Sequence, residues 1–447
     1  MSILVGATSG LAGAAGAAGG GGDLGEPINQ SVRFAGDSVL HRNFSGGHTS
    51  ADTGTISFWA KKAGQATEQT IWNRDGDTWH GAITNSDEFA IRRAGVGFEN
   101  FGTIKYRDPS AWYHYIISIN SATATLYVNG VQVPTTRSVN SLFSGGTSSI
   151  RIGSESTSAA SSNFDGYLAE FIFVDGQALD EEDFGRFNED GVWVPIEYTG
   201  TFGNNGFHLD FADNSDPGND VSGNNNDFTA VGFDTAAISS SNPDNDVDFL
   251  DTPTSNYPVW NPLYYTNSNG PQRYNEANLA LDLSSASSLG YYRFFYATFA
   301  LPKTGKWYFE HQRPVTRDSN EPSGQFPFVG FSTLQGNFQD ETSSRFFNVI
   351  SMCGGTGYGY RYGSSSSTAY GPIQGNGAWP AGAVIGCSYD ADTRQVRFYK
   401  DGSDIGLYDT LPADTDFYIA FAQNYVHSVT KFNFGQMPFV YTPPSGF

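Results

Sequence analysis

The stretch Trp379-Pro-Ala-Gly-Ala-Val-Ile-Gly-Cys-Ser-Tyr-Asp-Ala-Asp-Thr-Arg-Gln-Val-Arg-Phe-Tyr-Lys-Asp-Gly402 decides the fold of this chain. Ala383, Ile385 and Cys387 alternate with Val384, Gly386 and Ser388, and Asp390-Ala-Asp-Thr393 then turns the chain. Beyond it Val396 and Phe398 face one way and Arg397 and Tyr399 the other. A period of two places one set of side chains in a core and makes both runs strands. Asp401-Gly402 closes the second run, because a tight hairpin turn needs positive φ at its centre. The stretch is an antiparallel meander with one buried face.

Composition extends that reading to the whole chain. Among 447 residues, 15% are aromatic and 53 are glycine, while Lys and Arg together number 24. Such a balance favours strands joined by tight turns. The formal net charge of −22 argues against a nonspecific nucleic-acid binder, which needs a basic face for phosphate, and against docking on an anionic membrane. Two cysteines, Cys353 and Cys387, exclude a disulfide framework. Both read as buried thiols, compatible with assembly in a reducing cytoplasm.

Residues 1–30 are a Gly/Ala-rich peptide with no Lys or Arg before Arg33. The positive start of a secretory signal is missing, and the apolar run is too short and glycine-rich to span a bilayer. An attachment peptide is expected, with Ile3, Leu4 and Val5 as its contacts. Residues 31–190 read as a first β domain, with strands at 31–37, 54–60, 70–76, 89–93, 112–119, 125–130, 149–153 and 166–174. Residues 179–188 read as a helix capped by Asp180 and Asp183. Phe58-Trp59, Trp112 to His114, Tyr127 to Gly130 and Gly166 to Phe171 together resemble the laminin-G/concanavalin A-like lectin superfamily. That resemblance implies a jelly-roll sandwich, often a noncatalytic module for carbohydrate or protein.

Residues 191–277 read as a connecting segment rich in Asn, Asp and Pro. Asp213, Asp216, Asp220 and Asp227 lie in oxygen-rich turns that could hold Ca2+; plain turn formation is the alternative. No other cofactor is expected. Residues 278–447 carry Gly305-Lys-Trp-Tyr-Phe-Glu310, Phe328-Val-Gly-Phe-Ser332, the 379–402 stretch and Asn433-Phe-Gly-Gln-Met-Pro-Phe439 in order. Those motifs resemble a SPRY domain, which implies a second bent antiparallel sandwich used for binding. The expected fold is thus all-β, two antiparallel jelly-roll sandwiches joined by the 191–277 segment. The joint at 191–200 and the ending Tyr441 to Phe447 resemble large marine-bacteriophage structural proteins that pair the two modules.

The constellations that catalysis requires are missing from the sequence: no Gly-x-Ser-x-Gly elbow, no phosphate-binding loop and no His-Glu-x-x-His. The seven histidines lie singly, His114 reads as a packed core residue, and the strand from Gly166 to Val174 offers a glycosidase only Glu170. No enzyme is expected. Recognition remains, and loop aromatics are its natural carriers. Tyr358, Tyr360, Arg361, Tyr362 and Tyr370 fall in a Gly/Ser-rich stretch read as an adaptable binding loop; Trp79 and His80 are read in the loop after Asp75-Gly76. Loop packing or a subunit interface is the alternative for both sets. The expectation is a phage virion protein assembled in the host cytoplasm, a tail fibre or spike. It attaches to other virion proteins by its N-terminal peptide and binds a host-surface glycan or protein. It is a homo-oligomer, a trimer by analogy with fibres, with neither nucleic-acid nor membrane contact. A capsid decoration or head-fibre protein making only virion contacts is the alternative, and a glycan-cleaving spike a third reading.

Overall fold

The computed structural model describes residues 23–44, 47–63, 67–74, 79–93, 96–139, 149–156, 163–236, 245–263, 273–282, 293–312, 328–334, 349–353, 358–363, 366–372, 380, 382–413, 415–423 and 429–447. The expected attachment residues Ile3, Leu4 and Val5 lie outside them. The fold is all-β, built from antiparallel sandwiches, and the chain divides into two compact units. Described residues up to Ala236, together with Asn245–Asn256, form the first, and Tyr257–Phe447 form the second.

In the first unit an eight-stranded sheet runs in the order Val32–Ala35, Asp165–Asp175, Gly54–Lys62, Tyr113–Asn120, Thr123–Val128 and Val131–Gln132. Arg137–Ser138 pairs with Thr123–Val128, and Phe207–Leu209 pairs with Asp165–Asp175. The facing sheet runs Thr229–Val231, Val39–Asn43, Ser149–Ile152, Gln69–Arg74, Trp79–Ile83, Phe89–Arg93 and Gly97–Asn100. Phe58, Phe171 and Tyr115 stack between them beside Phe89, and Trp72, Ile91 and Leu126 complete a fully buried core.

Three expectations are corrected here. Residues 191–236 and 245–256 are not a connecting segment but part of the first unit, because Phe207–Leu209 and Thr229–Val231 each extend a sheet and Phe207, Leu209, Phe211, Phe228 and Val247 fill the core. The helix expected at 179–188 is a single 3-10 turn, Glu181–Asp183. Its capping box is present, but Gly185–Phe187 turns into a strand that pairs with Trp193–Pro195. Trp79 and His80 lie in a central strand, not a loop.

The Thr123–Val128 strand leads to a turn where Asn129 and Gly130 both take positive φ, 48° and 71°. A Cβ on Gly130 comes within 2.1 Å of Trp193 Cε3. Gly130→Ala therefore combines left-handed strain with overpacking, and is expected to cost about 2–4 kcal/mol. The check is a lower unfolding midpoint for the first unit with that of the second unchanged.

In the second unit one sheet runs Arg273–Asn275, Ala280–Asp282, Thr430–Asn433, Lys306–Gln312, Val384–Asp390, Gln395–Lys400 and Ser403–Thr410. The other runs Arg293–Ala300, Tyr418–Gln423, Phe328–Ser332, Val349–Cys353, Tyr358–Gly363 and Ser366–Pro372. The strands and turns of the 382–402 meander are as read, with Asp390 paired to Gln395 across the turn and Asp401 and Gly402 at φ of 47° and 77°, but Val384–Asp390 is buried on both faces rather than one. Ile385, Cys387, Val396 and Phe398 are fully buried. Gly386 marks a close approach from the other face, where a Cβ comes within 2.1 Å of the Tyr308 hydroxyl. Cys387 is a free buried thiol, which burial makes hard to ionise.

Candidate functional site

The four residues expected to bind calcium are all engaged in turns. Asp213 accepts from the Ser215 amide and hydroxyl, and Asp216 from the Gly218 amide. Asp220 accepts from the amides of His208, Ser222 and Asn226, and Asp227 from that of Asp220. These are the local side-chain to backbone bonds that make Asp common in turns. Among the described residues the four do not converge on one point.

Tyr358, Tyr360, Arg361, Tyr362 and Tyr370 are not in a loop. They belong to the strands Tyr358–Gly363 and Ser366–Pro372, which pair at one edge of a sheet. The alternation of Tyr358, Tyr360 and Tyr362 with Gly359, Arg361 and Gly363 is the period of a strand, and the glycine content concealed it. Trp79 joins the core at 3% exposure. His80, its neighbour in the strand, points to the opposite face, where its Nε2 lies 3.5 Å from Glu68 Oε1 and 3.6 Å from Glu155 Oε1. This is the one group of His and carboxylates among the described residues placed to share a metal ion.

A concavity of the first unit lies elsewhere, on the outer side of the eight-stranded sheet. A groove of about 210 Å³ is lined by Ser57, Trp59 and His114 at its floor and by Glu26, Glu170, Glu197, Tyr198, His208 and Asp210 around it. Glu170 owes its position to a β-bulge: the register of Asp165–Asp175 against Gly54–Lys62 shifts between Ala169 and Ile172, and Glu170 adopts φ 50°. A non-glycine residue held there stores on the order of 1–3 kcal/mol of strain, and bulges serve to re-aim a side chain. Glu170 Oε2 lies 2.5 Å from His208 Nε2, and the ring of His208 stacks on Phe202. Burial opposes a charge on His208, yet the bond to Glu170, with the carboxylates of Asp210 and Asp220 nearby, holds its imidazolium above the usual histidine range.

The floor holds a serine and a histidine, which invites comparison with a nucleophile and its base. His114 Nε2 lies 2.8 Å from Ser57 Oγ, and Trp193 Nε1 donates to His114 Nδ1 at 3.0 Å. An indole nitrogen only donates, so Nδ1 accepts and the proton of the neutral ring sits on Nε2, facing Ser57. The ring cannot then take the serine proton. Burial pushes His114 down to about 3, and it stacks flat on Trp59 at 4.3 Å. His114 is a packed, hydrogen-bonded core residue, in keeping with its sequence context, and Ser57–His114 is not a hydrolytic dyad.

The sequence alone singled out neither Glu170 nor His208 as a binding residue. Glu170 sits where a regular strand would continue, and His208 lies 38 residues further on. The signal that could have found the pair is the alternation of Phe207, Leu209 and Phe211, which turns His208 and Asp210 to the face opposite the core.

Comparison with known proteins agrees with the architecture. Residues 35–183 match the family described as the concanavalin A-like lectin/glucanases superfamily, and residues 306–437 match the SPRY domain. No curated protein matches the chain. Among solved structures it is similar to the SPRY domain of human HERC1, with 15% identity over 36% of this chain and 91% of that one, at a TM-score of 0.27. It is similar also to the PSpry domain of TRIM65, with 9% identity over 39% and 89%, at 0.29. A third is domain 4 of AbnA, an extracellular arabinanase of Geobacillus stearothermophilus in complex with arabinotriose, with 17% identity over 33% and 71%, at 0.28. The chain thus carries one domain similar to the concanavalin A-like lectins and one similar to SPRY domains, both β-sandwich modules of a binding type.

Proposed function

We propose that this chain is a noncatalytic recognition protein of a phage virion, a tail fibre or spike, whose first unit binds an uncharged host-surface glycan in the Glu170–His208 groove. The observation that carries the reading is the groove itself. A strained bulge residue, the histidine paired with it and a tyrosine converge over an aromatic floor. Hydroxyl-rich ligands use such settings well, because carboxylates accept from sugar hydroxyls while an imidazole N–H or a tyrosine hydroxyl can donate. Glu26, Glu170, Glu197 and Asp210 give the rim a negative bias, which disfavours sialylated or sulfated chains. The virion assignment draws on the paired modules and on the sequence likeness at 191–200 and 441–447. Attachment through residues 1–30 and a trimeric state belong to the same proposal.

The test is binding of the full-length protein to immobilised neutral glycans and to host cells. Saturable binding that falls at least about tenfold in Glu170→Gln and in His208→Ala supports the reading, the size expected when a hydrogen bond to a charged group is lost. Saturable binding unchanged in both variants moves the ligand to another surface. Absence of adsorption at any concentration leaves the capsid decoration role, with virion contacts only, and release of sugar revives a glycan-cleaving spike.

A further inference from the structure

The outer face of the seven-stranded sheet carries a polar row directly across its strands. His41, Arg151, Asn73, His80 and Arg92 stand opposite one another in register. Glu68, one residue before the Gln69–Arg74 strand, and Glu155, just past Ser149–Ile152, bring carboxylates to His80 from either side. We infer that Glu68, His80 and Glu155 form a binding site for a divalent transition-metal ion of the Zn2+ type.

Geometry is the first support. The His80 Nε2 to Glu68 and Glu155 distances, 3.5 and 3.6 Å, exceed an ordinary hydrogen bond between such groups. They are close to the edge of a tetrahedron, about 3.3–3.4 Å for metal–ligand bonds of about 2.0–2.1 Å. The ligand atoms all lie within 4.8 Å of one another, so one ion can reach them with small side-chain movements. Donor chemistry is the second. One imidazole and two carboxylates suit Zn2+ or a neighbouring first-row ion, whereas Ca2+ prefers six to eight oxygens. Three protein ligands leave a fourth position for solvent or a ligand oxygen. Burial is the third: the His80 side chain is 1% exposed and that of Glu155 15%, so the site is fixed by the sheet and opens on its carboxylate side.

Arg92 is the built-in competitor. Its Nη1 lies 3.2 Å from Glu155 Oε1 and 3.8 Å from Glu68 Oε1, while its guanidinium rests over the Phe98 ring. The side chain is 36% exposed, so it can withdraw toward solvent as an ion takes the same oxygens. A network held together only by Arg92 and a metal site differ in their response to removing the arginine.

The experiment is calorimetric titration of the chelator-treated full-length protein with Zn2+, Co2+, Ca2+ and Mg2+ in separate runs. A single stoichiometric Zn2+ site is expected, with Co2+ binding giving visible absorption bands of low coordination number, and with Ca2+ and Mg2+ weaker by at least about a hundredfold. Glu155→Gln should weaken Zn2+ at least about tenfold. Arg92→Ala should tighten it severalfold, since a competing cation is gone; in a merely structural network, Arg92→Ala gains nothing and only loses stability. His80→Ala should abolish the site, and because that residue is buried, Glu68→Gln serves as the second variant if His80→Ala does not fold. The inference is overturned if wild-type protein takes up no stoichiometric Zn2+, if Ca2+ or Mg2+ binds as well as Zn2+, or if Zn2+ binding is the same in Glu155→Gln and Glu68→Gln as in wild type.

Discussion

Asp251→Ala is expected to remove about 3–5 kcal/mol from the stability of the first unit, the usual cost of leaving one partner of a buried ion pair uncompensated. Asp251 is fully buried, and its two oxygens are shared between Lys61 Nζ at 2.7 Å and Trp112 Nε1 at 2.9 Å. Its carbonyl accepts from the Ser31 hydroxyl. Lys61 is itself 1% exposed, with Asn256 Oδ1 as a further acceptor at 2.8 Å. Burial pushes the Lys61 ammonium below its ordinary range, and the charge of Asp251 is the main influence opposing that. One carboxylate thus ties the Leu250–Asn256 segment to the Gly54–Lys62 strand and to the Trp at the head of the next. Without it an ammonium and an indole N–H are stranded in the interior. The measurement is urea unfolding resolved into two transitions, since two units need not unfold together. The transition of the first unit should move to lower urea and that of the second stay in place. A double variant, Lys61→Met with Asp251→Leu, should recover most of the loss, because an apolar pair of similar volume substitutes well for a buried ion pair. A loss under about 1 kcal/mol in Asp251→Ala sinks the account.

That tie also marks what could be read in the sequence and what could not. The strands of both units were legible wherever a period of two coincided with a turn signal, as at Val384–Asp390, Gln395–Lys400, Tyr113–Asn120 and Thr123–Val128. Asn129-Gly130 and Asp401-Gly402 turned out with the positive φ their residue types demand. The signals failed where a residue's role is set by a distant partner. Residues 191–256 have the composition of a linker, but Asp251 and Phe207 are anchored by residues more than 30 positions away. The capping box at Asp180 is real, yet a cap does not make a helix when the next three residues are claimed by a strand. The candidate sites suffered most. Trp79 and His80 were adjacent in sequence and so looked alike, but neighbours in a strand face opposite sides, and only one of them meets carboxylates. Glu170 escaped notice as a binding residue because a bulge, a one-residue irregularity, determines where it points, and only the alternation around His208 hinted at its partner.

The second unit is expected to be more stable at pH 5 than at pH 8, by up to about 3 kcal/mol, with Glu310 as the cause. Glu310 is 3% exposed in the Lys306–Gln312 strand. Its Oε2 accepts from the Val440 amide at 2.8 Å and its Oε1 from the Tyr441 amide at 3.0 Å, with the Tyr308 hydroxyl at 3.3 Å. Burial pushes this carboxyl up to about 7 from an ordinary value of 4.5, and these three donors, which favour the charged form, only partly offset it. The sign follows from linkage. A folded-state value above the unfolded one means the folded protein holds the proton more tightly, so the contribution is complete below about 4.5 and is lost as pH rises through about 7. Two anchoring amides keep the charged form tolerable above neutrality, and they pin the segment from Val440 onward against the outer face of the sheet that Gly386 leaves open to Tyr308. Glu310→Gln removes the titration while its amide group faces a backbone N–H, so the variant should be less stable than wild type at pH 5 and should lose the excess pH dependence. Urea unfolding of both proteins at pH 5 and pH 8 gives the difference of differences, which cancels every other titrating group. A pH dependence of the second transition that is the same in wild type and Glu310→Gln rules Glu310 out as its source.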